Sequence, residues 1–163
     1  MTGDIVHIEM ARVEGAQLAR LVDDLRDLVG AGRDLTDPAI DRLVPDPYPE
    51  DVDASRSFRE TTRDDLLDRR ALDADTVRAA LDALRADLDA ITQSEAFEEH
   101  VIEIPESDVD AWMRTLTSLR LVIAARLGIE SDEDHDPDDA RFGVYDWLGY
   151  RLELIIEAAD ELL

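Results

Sequence analysis

The chain has no cysteine, no lysine and no asparagine among its 163 residues, and only 5% of its residues are aromatic. Without cysteine, disulfide bonds, thiolate catalysis and cysteine-ligated zinc or iron–sulfur sites are excluded. All 17 basic residues are arginines, and we interpret the missing lysine and asparagine codons as a bias of genome composition. These absences exclude several chemistries and identify none.

Positive charge is also scarce. Asp and Glu together number 41, so the formal net charge is -24, and nucleic acid and anionic membranes would be repelled. The chain has no uncharged apolar run of about 18 residues, the length of a membrane span, and no signal-like N-terminal segment. We therefore expect a cytoplasmic protein with neither nucleic acid nor membrane as a partner.

Apolar periodicity predicts a mainly α fold, in which residues 1–163 form a single-domain helical bundle with a possible short two-stranded antiparallel β ribbon. Hydrophobic residues make up 45% of the chain, and their helical spacing argues against disorder. The strand candidates are residues 4–10 and 101–104. If the two strands pair, His7 and His100 could face each other, and such a contact would more often be structural than catalytic.

Glycine, proline and capping residues predict where the helices begin and end. The first helix should stop at Gly30, and a short helix should start at Pro38 with Asp37 as its cap. A helix over residues 52–71 should break near residues 61 and 62, and a new helix capped by Asp73 or Asp75 should follow. Two apolar helices come last, at about 109–127 and 141–163. Ser107 and Asp110 resemble a capping box before the first of these, and Gly128 should close it. Because both are apolar on more than one face, we expect them at the centre of the bundle.

The acidic loop at residues 131–139 is a candidate for cation binding, because calcium prefers clustered carboxylates. An EF-hand register starting at Asp132 fails, since Pro137 stands where glycine is needed and Gly143 where the glutamate belongs. A solvent-exposed turn, with Asp138 or Asp139 capping the last helix, is favoured over weak calcium binding. The three histidines His7, His100 and His135 form no zinc motif, so we expect no metal and no cofactor.

Two arginines interrupt the apolar stripes of the last two helices. Arg120 and Arg151 each point toward a core face. They could form internal ion pairs, for example with Asp146, Glu153 or an acid of the first helix, with their stems packed on Trp112 and Trp147. Alternatively, the two arginines and the two tryptophans could form a ligand-binding pocket for an anion or a terminal carboxylate. The chain has no Walker A, GxSxG or GxGxxG motif, so we predict no catalytic residues.

Four segments give the chain a family resemblance over nearly its whole length. They are DPAIDRLVPDPYPED at 37–51, SFRETTRDDL at 57–66, AWMRTLTSLRLVIAARLGI at 111–129 and VYDWLGYRLELI at 144–155. In these segments the chain resembles the actinobacterial family of uncharacterised proteins called DUF2017. The resemblance implies a gene that often lies beside the gene for the ClpS adaptor, which hands substrates to a Clp protease.

We therefore expect a non-catalytic interaction or adaptor-type protein, with a protein partner or a homodimer. Its interface would be an apolar face of the last two helices or the arginine-rich residues 56–70. A link to Clp-dependent proteolysis is implied by the family resemblance alone. The alternative function is a small-molecule anion-binding protein or enzyme with Arg120 and Arg151 in its pocket.

Overall fold

A computed structural model describes residues 3–44, 50–86 and 89–162, apart from the side chains of residues 59–61 and 132. Within these residues the structure has two strands and six α-helices, together with short 3-10 turns. In chain order they are β1 (Ile5–Ala11), α1 (Arg12–Val29), α2 (Pro38–Leu43), α3 (Val52–Leu81), α4 (Gln93–Ala96), β2 (Glu99–Pro105), α5 (Val109–Leu127) and α6 (Gly143–Asp160). The mainly α fold with a short ribbon is confirmed.

β1 and β2 form the predicted antiparallel ribbon, with Ile8 opposite Ile102. Its inner face buries apolar side chains, and its outer face is exposed. His7 lies opposite Glu103, whereas His100 lies opposite Met10. The predicted contact between His7 and His100 is therefore wrong, because this register places the two histidines on opposite faces of the ribbon.

Several helix ends lie where glycine and proline predict them. α1 ends before Gly30, and the Asp37 side chain caps α2 by accepting a hydrogen bond from the Ala39 amide. α5 ends at Gly128, whose φ of 75° is left-handed and favours glycine. The predicted capping box is wrong, since Ser107 lies in a 3-10 turn and the N-cap residue of α5, Asp108, makes no side-chain cap bond.

α3 runs without interruption for 30 residues, so the predicted break near residues 61 and 62 is wrong. The Thr62 hydroxyl donates to the carbonyl of Phe58, four residues earlier, at 2.6 Å. This bond gives the hydroxyl a partner inside the helix without interrupting the helix. No new helix begins at Asp73 or Asp75, and their carboxylates accept hydrogen bonds from Arg114 and Arg26 respectively.

α5 is the central helix, and α6 lies at the edge of the bundle. α5 contacts α1, α2, α3 and α6, and eight of its 19 residues are buried. α6 packs on α5 and β1 and buries only Leu148 and Ile155. The expectation that both C-terminal helices occupy the centre is thus wrong for α6. No helix within the described ranges is long and apolar enough to cross a membrane.

Candidate functional site

Glu14 joins the start of α1 to the side of α6. Its Oε2 atom accepts hydrogen bonds from the Trp147 indole Nε1 at 3.1 Å and from Nη2 of Arg151. The positive end of the α1 dipole also favours a carboxylate in this first turn. Nη1 of Arg151 donates to the carbonyl of Glu9 on β1 at 2.9 Å. The Arg151 side chain, which is 11% exposed, therefore has the partner foreseen by the ion-pair alternative, an acid of the first helix.

Arg120 has a different environment, on the side of α6 that faces α5. Its guanidinium carbon lies 4.3 Å from the centroid of the Tyr145 ring, a cation–π contact. The absence of a side chain at Gly149 makes room for it, since a Cβ there would stand 3.3 Å from the guanidinium carbon. Its Nε is buried and has no hydrogen-bond partner among the residues described.

The structure does not bring the four predicted site residues together. Gly149 and Arg151 are two positions apart, so they lie about 200° apart around α6, and Arg120 and Arg151 approach different sides of the helix. Trp112 is fully buried in the core and lies eight residues before Arg120, about 12 Å along α5. Only Trp147 and Arg151 meet, through their shared acceptor Glu14.

The Arg151 side of α6 carries an exposed apolar stripe, hereafter the α6 face, which consists of Val144, Trp147, Tyr150 and Leu154. These residues follow one another at intervals of three, three and four positions, so they share one side of the helix. Tyr150 is 59% exposed and Val144 is at the surface, while Trp147 and Leu154 are half-buried.

A groove borders the α6 face on each flank. The groove toward α1 has a volume of about 270 Å³, and its lining, which includes Val13, is mostly apolar. The groove toward the ribbon has a volume of about 660 Å³ and is lined in part by Ile8 and Val101. The α6 face is thus one part of a wider surface that the ribbon and α1 extend.

The acidic loop uses its carboxylates to form turns. Asp134 accepts hydrogen bonds from the amides of residues 130 and 131, and Asp136 accepts one from the amide of residue 138. Asp139, one of the two predicted caps, caps the 3-10 turn directly before α6. α6 itself begins at Gly143, slightly later than predicted. Nε2 of His135 lies 2.6 Å from Oδ1 of Asp146 on α6.

Comparison with known proteins identifies the family. The model of the family described as "Domain of unknown function (DUF2017)" matches residues 1–159. The chain belongs to the DUF2017 family. Curated relatives of this DUF2017 chain are proteins named oxidative stress regulator AosR, from Mycobacterium bovis and from two strains of Mycobacterium tuberculosis.

Each of these relatives is 31% identical to the DUF2017 chain in an alignment of 134 residues that covers 74% of this chain and 57% of the relative. The chain therefore spans a little more than half the length of the curated relatives that it matches. No solved structure matches it significantly.

Sequence reasoning expected an interface on an apolar face of the last two helices of this DUF2017 chain, but of the α6 face it selected only Trp147 as a site residue. A signal was present, because Tyr150 and Leu154 fall outside the stripe of Leu148 and Ile155 that enters the core, and Val144 lies at the edge of that stripe. Helical spacing separates the two stripes. It does not reveal which of them has neighbours, since that depends on where the ribbon and α1 pack.

Proposed function

We propose that this DUF2017 protein is a regulatory protein of the cytoplasm that acts without catalysis, by binding a partner protein through the α6 face. One observation carries the proposal: on the α6 face, Tyr150 is 59% and Val144 36% exposed, and the half-buried Trp147 and Leu154 lie beside them. Large contiguous apolar surface on a folded chain marks an interaction site more often than it marks chance exposure.

The α6 face is also held in a fixed arrangement. Glu14 orients the Trp147 ring through its indole N–H and orients Arg151 through its guanidinium group. Tryptophan, tyrosine and arginine are the residues that most often dominate binding energy at protein interfaces. Side chains that are already ordered lose less entropy when a partner binds. Trp147 and Arg151 combine both properties, and the Tyr150 ring lies beside them, 5.8 Å from the guanidinium carbon of Arg151.

Charge selects the kind of partner. Exposed acidic residues lie beside the α6 face, namely Asp146, Glu153 and Glu157, and the chain as a whole carries a formal charge of -24. A second copy would bring the same negative charge to the interface and would be repelled. We therefore propose a partner that presents apolar side chains flanked by arginine or lysine, in preference to a homodimer.

The relatives' name, oxidative stress regulator, supports a regulatory role. These 163 residues contain no cysteine, so they have no thiol with which to sense oxidants. We propose that any response to oxidative stress in this chain passes through its partner. A Clp-dependent adaptor system is one partner of this kind, and its support comes from the family's gene order alone.

The alternative function, an anion pocket between the last two helices, has less support. The charge of Arg151 is compensated by Glu14, and Arg120 packs on another side of α6. An anion would have to compete with the Glu14 carboxylate for Arg151.

Site-specific photo-crosslinking tests the proposal. A photoreactive phenylalanine analogue is installed in the full chain at position 150, and at position 52 as a control, because Val52 is equally apolar and 68% exposed at the start of α3. In host cells, position 150 should capture one basic protein and position 52 should not. Capture of a second copy of the chain, or the same products from both positions, would contradict the proposal.

A further inference from the structure

A second surface, far along the chain from α6, concentrates positive charge. A pocket of about 350 Å³ lies between α3 and α5 and is lined by Leu66, Arg69, Arg70, Leu72, Asp73 and Arg114. Three of its lining residues are arginines and one is an acid. The pocket therefore carries a formal charge of +2 in a chain whose net charge is -24.

The acid of the pocket is already engaged. Asp73 accepts two hydrogen bonds from Arg114, from Nε at 2.8 Å and from Nη2 at 3.1 Å, and its side chain is only 14% exposed. This two-bond pairing is the strongest arrangement available to an arginine and a carboxylate. The Asp73 carboxylate is therefore not free to pair with Arg69 or Arg70.

Arg70 is half-buried, and within the described ranges it forms no hydrogen bond or ion pair. Burial lowers the pKa of its guanidinium group; the charge of Asp73 opposes this, and that of Arg114 adds to it. Arg33, another partly buried arginine, pairs with Asp64 and Asp68, whereas Arg120 packs on the Tyr145 ring instead. A half-buried cation without an acid costs stability, and a feature of this kind is more frequent at binding sites than elsewhere.

We propose that this pocket binds a small phosphomonoester dianion. Arg69 and Arg70 would bind the phosphate oxygens in the fork geometry that guanidinium groups favour, with Arg114 adding positive charge at the rim. Arg69 and Arg70, which form no hydrogen bond or ion pair in the part of the chain that the structure describes, balance the two charges of a phosphate ester, whereas one carboxylate would leave an excess. The apolar walls, Leu66 and Leu72, would contact the carbon group of the ester. This site is separate from the α6 face and independent of its partner.

Calorimetric titration of the full chain at constant ionic strength tests the proposal. The probes are inorganic phosphate, phenyl phosphate and acetate. Phenyl phosphate should bind about tenfold more tightly than inorganic phosphate, because the leucines contact its ring, and acetate should give no saturable heat. Arg70→Met should weaken phenyl phosphate binding at least tenfold. The control is Arg56→Met, which removes an exposed arginine of the same helix about 21 Å away and should leave binding unchanged.

A stability measurement separates this role from a structural one. Without ligand, Arg70→Met should unfold at the same temperature as the wild type or higher, because it removes a half-buried charge that has no partner. Arg69→Met should weaken binding in the same direction. Unchanged binding in Arg70→Met, equal affinity for acetate and phenyl phosphate, or no saturable heat with any probe would overturn the proposal.

Discussion

Replacing Glu14 with alanine should lower the free energy of unfolding by about 2–3 kcal/mol. A hydrogen bond to a charged group contributes about 1.5–3 kcal/mol and a neutral one about 0.5–1.5 kcal/mol. Glu14 accepts one bond from Arg151 and one from Trp147. Its side chain is 32% exposed, so water recovers part of the loss. The larger cost is that the nearly buried charge of Arg151 loses its counter-ion.

A double-mutant cycle measured by urea unfolding at pH 7 isolates this interaction. Arg151→Met should lower the free energy of unfolding by less than Glu14→Ala does. It removes the buried charge itself, so no unpaired charge is left in the fold. The double variant should be about 2 kcal/mol more stable than the sum of the single changes predicts. In a chain of this length, Glu14→Ala should lower the unfolding temperature by about 4–12 °C. A cost below about 0.5 kcal/mol with additive effects would show that Glu14 does not hold α6 in place.

Two further predictions concern helix packing and pH. Asp37 accepts hydrogen bonds from Arg126, and this pairing lowers the pKa of the Asp37 carboxyl from 3.8 to about 2. The stabilisation that this ion pair gives the folded state is therefore complete above about pH 4 and is lost as the pH falls through 2. Asp37→Asn should cost about 0.5–1 kcal/mol at pH 7 in thermal unfolding, and progressively less below pH 4. Gly15→Ala should destabilise by about 1–2 kcal/mol despite alanine's better helix propensity, because the new Cβ would collide with Cδ1 of buried Leu84. Leu84→Ala shortens the clashing side chain, so the double variant should be more stable than the sum of the two single changes predicts. Additive effects would contradict this prediction.

Local signals predicted much of the fold. The ribbon, the ends of α1 and α5, and the Asp37 cap all follow from short-range rules about alternation, glycine and capping. The break expected in α3 did not follow, because a threonine hydroxyl that bonds to the preceding turn is compatible with a helix, as Thr62 shows. The low helix propensity of the threonines at positions 61 and 62 was outweighed by the helical preference of the long segments around them.

The arrangement of the candidate site could be predicted only in part. Arg151 was expected to have an acid of the first helix among its alternatives, and Glu14 is that acid. Its identity depends on the packing of α1 against α6, two segments more than a hundred residues apart. The same holds for the α6 face: composition shows that α6 is apolar, but only the tertiary structure shows that Val144 and Tyr150 remain exposed while Leu148 and Ile155 enter the core.

The central claim, that the α6 face binds a basic partner, is tested most directly by the affinity of the captured partner for two matched variants. Tyr150→Glu should weaken binding by about 30-fold or more, as loss of an aromatic interface anchor does. The same variant should unfold at the wild-type urea concentration, since Tyr150 is mostly exposed. Val52→Glu, which adds the same charge at another exposed apolar position, should bind like the wild type. Equal affinity of Tyr150→Glu and wild type would contradict the account.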